Sequence, residues 1–188
     1  MIDSPDRHGT DRVSALLIPL VLLAARPTES PAAREQARLC ESRPAQAGLA
    51  ACRRAIEMGL GPLRLEAVRE LTARRLASLE RWEELVEHFR EDVALHPESA
   101  EAQRRLGSAL LFAVARPEEA LGPLREAARL GTDGEAQVLL GIALNALGRH
   151  QEAVAAFEDA ERTDHGLIDR WPASRAVYEA ARKAERWP

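Results

Sequence analysis

The sequence predicts an all-α fold, an array of antiparallel helix hairpins, and three observations carry that prediction. A pattern of small, aliphatic and aromatic residues returns at 34-residue intervals: Leu106-Gly107 is matched by Leu140-Gly141, and Phe89 and Phe157 stand 68 apart. Aromatics make up only 4% of the 188 residues, while Ala, Leu, Arg and Glu, all strong helix formers, dominate. Period-2 alternation of β-branched residues, the mark of a half-buried strand, is scarce. The length suits one domain able to bury a core without staples. The net charge of −4 is spread over interleaved acids and bases with no basic block, which argues against nucleic acid as a partner.

The elements are taken in chain order. After the polar stretch MIDSPDRHGTDR, Val13 to Ala25 reads VSALLIPLVLLAA. That run is short of the ~20 apolar residues a membrane span needs, so no stable span is expected. It has the length of a signal-peptide h-region, roughly 7–15 residues. Residues 1–30 are therefore read as a targeting segment that sends the chain to the periplasm or outside the cell. Asp3, Asp6 and Asp11 offset Arg7 and Arg12, and no clean small-x-small cleavage site comes after the run. The alternative is a retained N-terminal helix of a cytoplasmic protein.

The first copy of the repeat is faint. In RPAQAGLAACRRA, Gly48, Cys52 and Ala55 take the places of Ala153, Phe157 and Ala160 in the fourth copy. Arg43-Pro44 opens a second helix as Arg116-Pro117 does, because a proline in the first turn gives up no needed N–H. Cys40 and Cys52 fall on the two helices of this hairpin. They are a candidate disulfide in an oxidising compartment and a free, buried pair in a reducing one. A flush hairpin sets them ~7 Å apart along the axis, at the limit of what a disulfide allows.

The second copy supplies Ala73, Leu76, Leu85 and Phe89, and closes with Pro97. In the third, Leu106, Gly107 and Leu110 are followed by Ala120, thirteen residues after the glycine, and then by Leu124 and Ala127. In the fourth, Leu139, Leu140, Ala143, Leu144 and Leu147 recur at three- and four-residue steps, and Ala153 comes twelve residues after Gly141. Gly141 and Ala153 are small enough for two helices to approach closely, and Phe157 fills the space beyond. A single hairpin cannot bury both its faces, so neighbours must stack. The segment Ala173 to Glu185 reads as a capping helix, with Val177, Tyr178, Ala181 and Ala184 inward and its charges outward; Trp171 and Trp187 are expected to anchor its ends.

Little in the sequence carries catalysis. His8, His88, His96, His150 and His165 form no metal-ligand spacing, and His88 and His150 are expected at the surface of second helices. Gly59 and Gly61 read as a turn rather than a phosphate loop. Ser108 has no triad partners. Glu83-Glu84 and Glu118-Glu119 lie in first turns, where carboxylates favour the helix dipole. No enzyme activity, cofactor or metal site is expected.

The spacing Leu-Gly-x2-Leu, Ala, Ala/Leu-x3-Phe/Leu over 34 residues resembles the tetratricopeptide repeat (TPR) family, across residues 31–167. Gln103 and Gln137 stand where the family has Trp, Leu replaces its Tyr, and His165 stands where a Pro is usual. The resemblance implies a right-handed superhelical α-solenoid of about four repeats, with a capping helix in residues 168–188. It also implies that first helices line a concave groove. The register puts Glu70, Arg74 and Ser78 there from the second copy, Glu101, Arg104, Ser108 and Phe112 from the third, and Val138, Ile142 and Asn145 from the fourth. A partner segment with an acidic group near Arg74 and Arg104 and aliphatic groups near Ile142 would suit this face. Ser108 and Ile142 stand where the family's carboxylate-clamp subtype has Asn, so that function is not expected. The function implied is a non-catalytic protein-interaction scaffold for a peptide segment or partner subunit. Self-association, or service as an accessory subunit of an enzyme or envelope assembly complex, is the alternative.

Overall fold

The computed structural model describes residues 29–131, 134–170 and 172–186. The Val13 to Ala25 run, His8, Trp171 and Trp187 lie outside the described residues. Every described element is helical. Four hairpins succeed one another: α1 (Pro31–Ser42) with α2 (Ala45–Glu57), α3 (Pro62–Ser78) with α4 (Trp82–Leu95), α5 (Ala100–Ser108) with α6 (Pro117–Leu130), and α7 (Glu135–Ala146) with α8 (His150–Thr163). A short α9 (Leu167–Arg170) leads into α10 (Pro172–Arg186).

Local chemistry sets the boundaries. Ser30 and Ser99 cap α1 and α5, their hydroxyls accepting from Ala33 N at 3.0 Å and Ala102 N at 3.2 Å. Pro31, Pro62 and Pro117 occupy first turns. Three hairpins share one tight turn with a left-handed residue at its centre, Glu80 (φ 55°), Ala115 (φ 53°) and Gly148 (φ 71°). Only the last is a glycine, so the other two positions carry strain that the stacked helices must hold in place.

The largest core joins the third and fourth hairpins to the cap: Leu110, Leu124, Leu139, Leu144 and Phe157 are buried, as are Leu167, Ile168 and Ala181. Gly107 and Gly141 are placed by packing. A Cβ there would lie 2.5 Å from Leu124 and 2.8 Å from the Phe157 ring. At the Trp-like position of the third copy, Gln103 is buried and its amide donates to Pro97 O at 3.2 Å, so a polar residue is satisfied where the repeat pattern has an aromatic.

The first hairpin has a core of small residues, Ala33, Ala37, Cys40, Ala51, Cys52 and Ala55. Cys40 and Cys52 are joined as a disulfide with Cα atoms 4.6 Å apart. The level difference of a flush hairpin vanishes because the link is not a tight turn. Arg43 (ψ 156°) and Pro44 (ψ 158°) are both extended. Two extended residues carry the chain ~7 Å past the end of α1 before α2 begins, which brings Cys52 back to the level of Cys40. Arg75 of α3 closes the same corner. Its guanidinium is buried, lies over Gly48 where a Cβ would be 2.5 Å from Cζ, and donates to Cys40 O at the negative end of α1.

Candidate functional site

The first helices α3, α5 and α7 present one continuous face, and ion pairs tie it together. Arg74 Nε meets Glu70 at 3.0 Å, and Glu70 meets Arg105 of the next hairpin at 2.7 Å. Arg105 meets Glu101 at 2.6 Å, Glu101 also pairs with Arg104, and Arg104 reaches Glu135 of the fourth hairpin at 2.9 Å. Three arginines and three glutamates thus form a ladder across three repeats with no net charge. Arg74 and Arg104, expected to lie near an acidic group of a partner, are already paired within the chain, Arg74 with its side chain still 71% exposed. Arg105 and Glu135, which the repeat register did not single out, complete the ladder; that Glu101 and Glu135 are one 34-residue period apart was the available signal.

Burial pushes the Glu70 and Glu101 carboxyls up, but their hydrogen bonds and charges with arginine together outweigh it and hold both below their ordinary 4.5. A carboxylate depressed in the folded state contributes stability above its unfolded pKa and loses it as pH falls through the folded value. The melting temperature is therefore expected to be flat from neutral pH down to about 5 and to fall below that. A Glu70→Gln, Glu101→Gln variant should show a shallower fall; an identical acid limb would mean that the ladder contributes nothing to acid stability.

The other predicted groove residues separate into three groups. Val138 is 1% exposed and belongs to the core, its apolar side chain packing inward with Leu139 and Ala143 of the same cluster. Ser78 and Asn145 are committed locally: Ser78 Oγ donates to Arg75 O at 2.9 Å, and Asn145 Oδ1 accepts from His150 Nδ1 at 3.0 Å. Ser108 and Ile142 are half-buried, and Phe112 is 58% exposed.

The exposure of Phe112 has a cause in the sequence. From Gly107 to the left-handed Ala115 is eight residues, whereas Ala73 to Glu80 and Gly141 to Gly148 are each seven. The extra residue is accommodated as a π-helical turn, Ala109–Ala113, continuing α5. One added residue rotates the rest of the helix by about 100°. Leu110 and Leu111 stay buried and Phe112 is left facing out.

The histidines form no centre. Among the described residues no group of three His, Cys, Asp or Glu side chains is placed to hold a metal. His88, expected at the surface, is 7% exposed, its ring turned against α3 where Nε2 lies 3.0 Å from Arg69 O. The acidic first turns do more than face a dipole: Glu83 pairs with Arg116 at 2.6 Å, Glu119 with Arg90 at 2.9 Å, and Glu84 with Arg53, cross-linking successive hairpins on the outer side.

Stacked two-helix units of similar length, sealed by one amphipathic helix, define a helical-repeat solenoid. The particular fold is that of the tetratricopeptide-repeat proteins. MamA from Desulfovibrio magneticus RS-1 is 19% identical, covering 84% of this chain and 97% of its own, with a TM-score of 0.60. YrrB, a TPR protein with an unusual peptide-binding site, is 21% identical over 79% of this chain and 73% of its own, with a TM-score of 0.56. TTC0263, a thermophilic TPR protein of Thermus thermophilus, is 19% identical over 80% of this chain and 81% of its own, with a TM-score of 0.52. At these identities the likeness is one of fold. No protein-family profile matches the sequence, and no curated protein matches it significantly.

Proposed function

We propose that the chain is an exported, non-catalytic scaffold that holds a peptide segment or partner subunit on its first-helix face. The observation that carries this reading is the contrast on that face. Its arginines and glutamates neutralise one another, while Phe112, in the π-helical turn that continues α5, stands exposed and Ile142 on α7 is half-buried. An exposed aromatic side chain on a preformed surface is a low-entropy anchor for a partner's apolar group. The peptide-binding site of YrrB lends support by fold. Export is supported by the Cys40–Cys52 disulfide, a bond that persists in oxidising compartments, and by the apolar run at Val13 to Ala25. Among the described residues no helix is long and apolar enough to cross a membrane.

The test places a photo-crosslinking residue at position 112 and, as a control, at the exposed position 158 on α8, in cells of the source organism. A discrete adduct at 112 and none at 158 is the expected result. An adduct of the chain with itself would move the reading to self-association, and equal labelling at both positions would overturn the site.

A further inference from the structure

On the opposite side of α3 from Glu70 and Arg74 lies a cleft of about 370 Å³ between α2, α3 and α4. It exists because the second hairpin is the most loosely packed of the four. Ala73 occupies the place of Gly107 and Gly141, where the closely packed hairpins have no room for a Cβ. The methyl holds α4 away, and Phe89, the counterpart of the fully buried Phe157, is only partly buried.

The lining has a definite chemistry. Ile56 and Leu76 supply apolar surface, and Thr72 Oγ1 is already committed to Val68 O at 2.7 Å. His88 is more than nine-tenths buried. Its Nε2 lies 3.0 Å from Arg69 O, and a carbonyl only accepts, so the proton sits on Nε2 and Nδ1 keeps a lone pair. Among the described residues Nδ1 has no hydrogen-bond partner, and the ring lines the cleft. Burial, outweighing the pull of Asp92, holds the imidazole below its ordinary pKa, which keeps it an acceptor at neutral pH. Glu57, Glu87 and Glu91 stand at the rim, and the Arg53–Glu84 pair closes one side. Glu87 and Glu91 have partners, Arg90 and, at 3.7 Å, Arg69, yet their side chains remain 65% and 67% exposed.

We propose that this cleft receives one basic side chain, arginine or lysine, from a partner segment. The aliphatic stem lies against Ile56 and Leu76, one N–H donates to His88 Nδ1, and the charge faces Glu57, Glu87 and Glu91. An acceptor open to the cleft receives a donor, and an acidic rim selects a cationic one. The volume is at the small end of ligand pockets, which run from about 300 to 1,000 Å³, and suits one long side chain. This site stands apart from the first-helix face and does not depend on its reading.

The test titrates the oxidised full chain with N-acetyl-glycyl-arginyl-glycinamide, monitoring the histidine ring resonances by NMR. His88 is assigned by the signal lost in His88→Gln. The citrulline peptide, of the same shape without the charge, is the control. The expected result is a saturable shift of His88 alone, with affinity reduced roughly tenfold or more for the citrulline peptide and for the Glu57→Gln, Glu91→Gln variant. The absence of a saturable shift would overturn the proposal, as would equal binding of citrulline. So would undiminished binding by a double variant that melts like the parent, or parallel unsaturable shifts of the exposed His96 and His165.

Discussion

Replacing Phe157 with alanine is expected to lower the unfolding free energy by about 3–5 kcal/mol, the largest loss from any single side chain here. Phe157 is fully buried. One side of its ring rests on Gly141, which has no Cβ to offer, and Tyr178 of the cap meets it edge-on, centroids 5.6 Å apart. Truncation leaves a void that a rigid helix backbone on the Gly141 side cannot collapse to fill, so the transfer and cavity costs add. The same ring seats α10, so the damage should spread along the stack toward its C-terminal end. In a repeat array each unit is held mainly by its neighbours, so the loss should be regional. Amide exchange is expected to rise through α7, α8 and α10 while α1 and α2 keep their protection. Phe112→Ala serves as the control and should stay within about 0.5 kcal/mol of the parent, since that ring is largely in solvent. A Phe157→Ala loss below about 1 kcal/mol would mean that the cap is not held through this contact.

The period carried most of the fold. Glycine and alanine at helix crossings, aliphatics at three- and four-residue steps and a phenylalanine at the far side are direct consequences of packing, and the hairpins result from them. The extra residue between Gly107 and Ala120 was visible as thirteen against twelve. Spacing alone does not say whether a helix or a turn absorbs an insertion, and the π-helical turn of α5 did so. The groove was legible as a set of positions and not as chemistry. Val138 shares its register position with Arg104, but its apolar side chain packs inward where the arginine reaches across to Glu135. Ion pairs between repeats depend on stagger by a residue or two, as in Glu70 choosing Arg105 over its period-mate Arg104, and stagger is a property of the stacked array. His88 was misplaced for a related reason: one methyl on Ala73 changes how two helices meet, and with it which polar groups are enclosed.

Removing the disulfide through Cys40→Ala and Cys52→Ala should cost about 2–3 kcal/mol, from the freedom returned to a short closed loop in the unfolded chain. The loss matters most at this end of the molecule. The first hairpin packs through alanines and two half-cystines, so its apolar burial per residue is small. No repeat precedes it among the described residues to cover its other side. The consequence reaches α3 through Arg75, whose buried guanidinium depends on Cys40 O and on the space above Gly48. A buried cation with no carboxylate partner among the described residues is tolerable only while that carbonyl stays in place. Loosening α1 should therefore expose Arg75 and release the C-terminal part of α3, while the third and fourth hairpins remain protected. Denaturant unfolding tracked separately by near-ultraviolet signal and by exchange in α1 to α3 measures both parts. A double variant within about 0.5 kcal/mol of the parent would mean that stacking alone holds the first hairpin. The disulfide would then be a mark of compartment rather than a support. A full loss confined to α1 and α2, with α3 untouched, would instead sever Arg75 from the staple and leave it as an independent cap on α1.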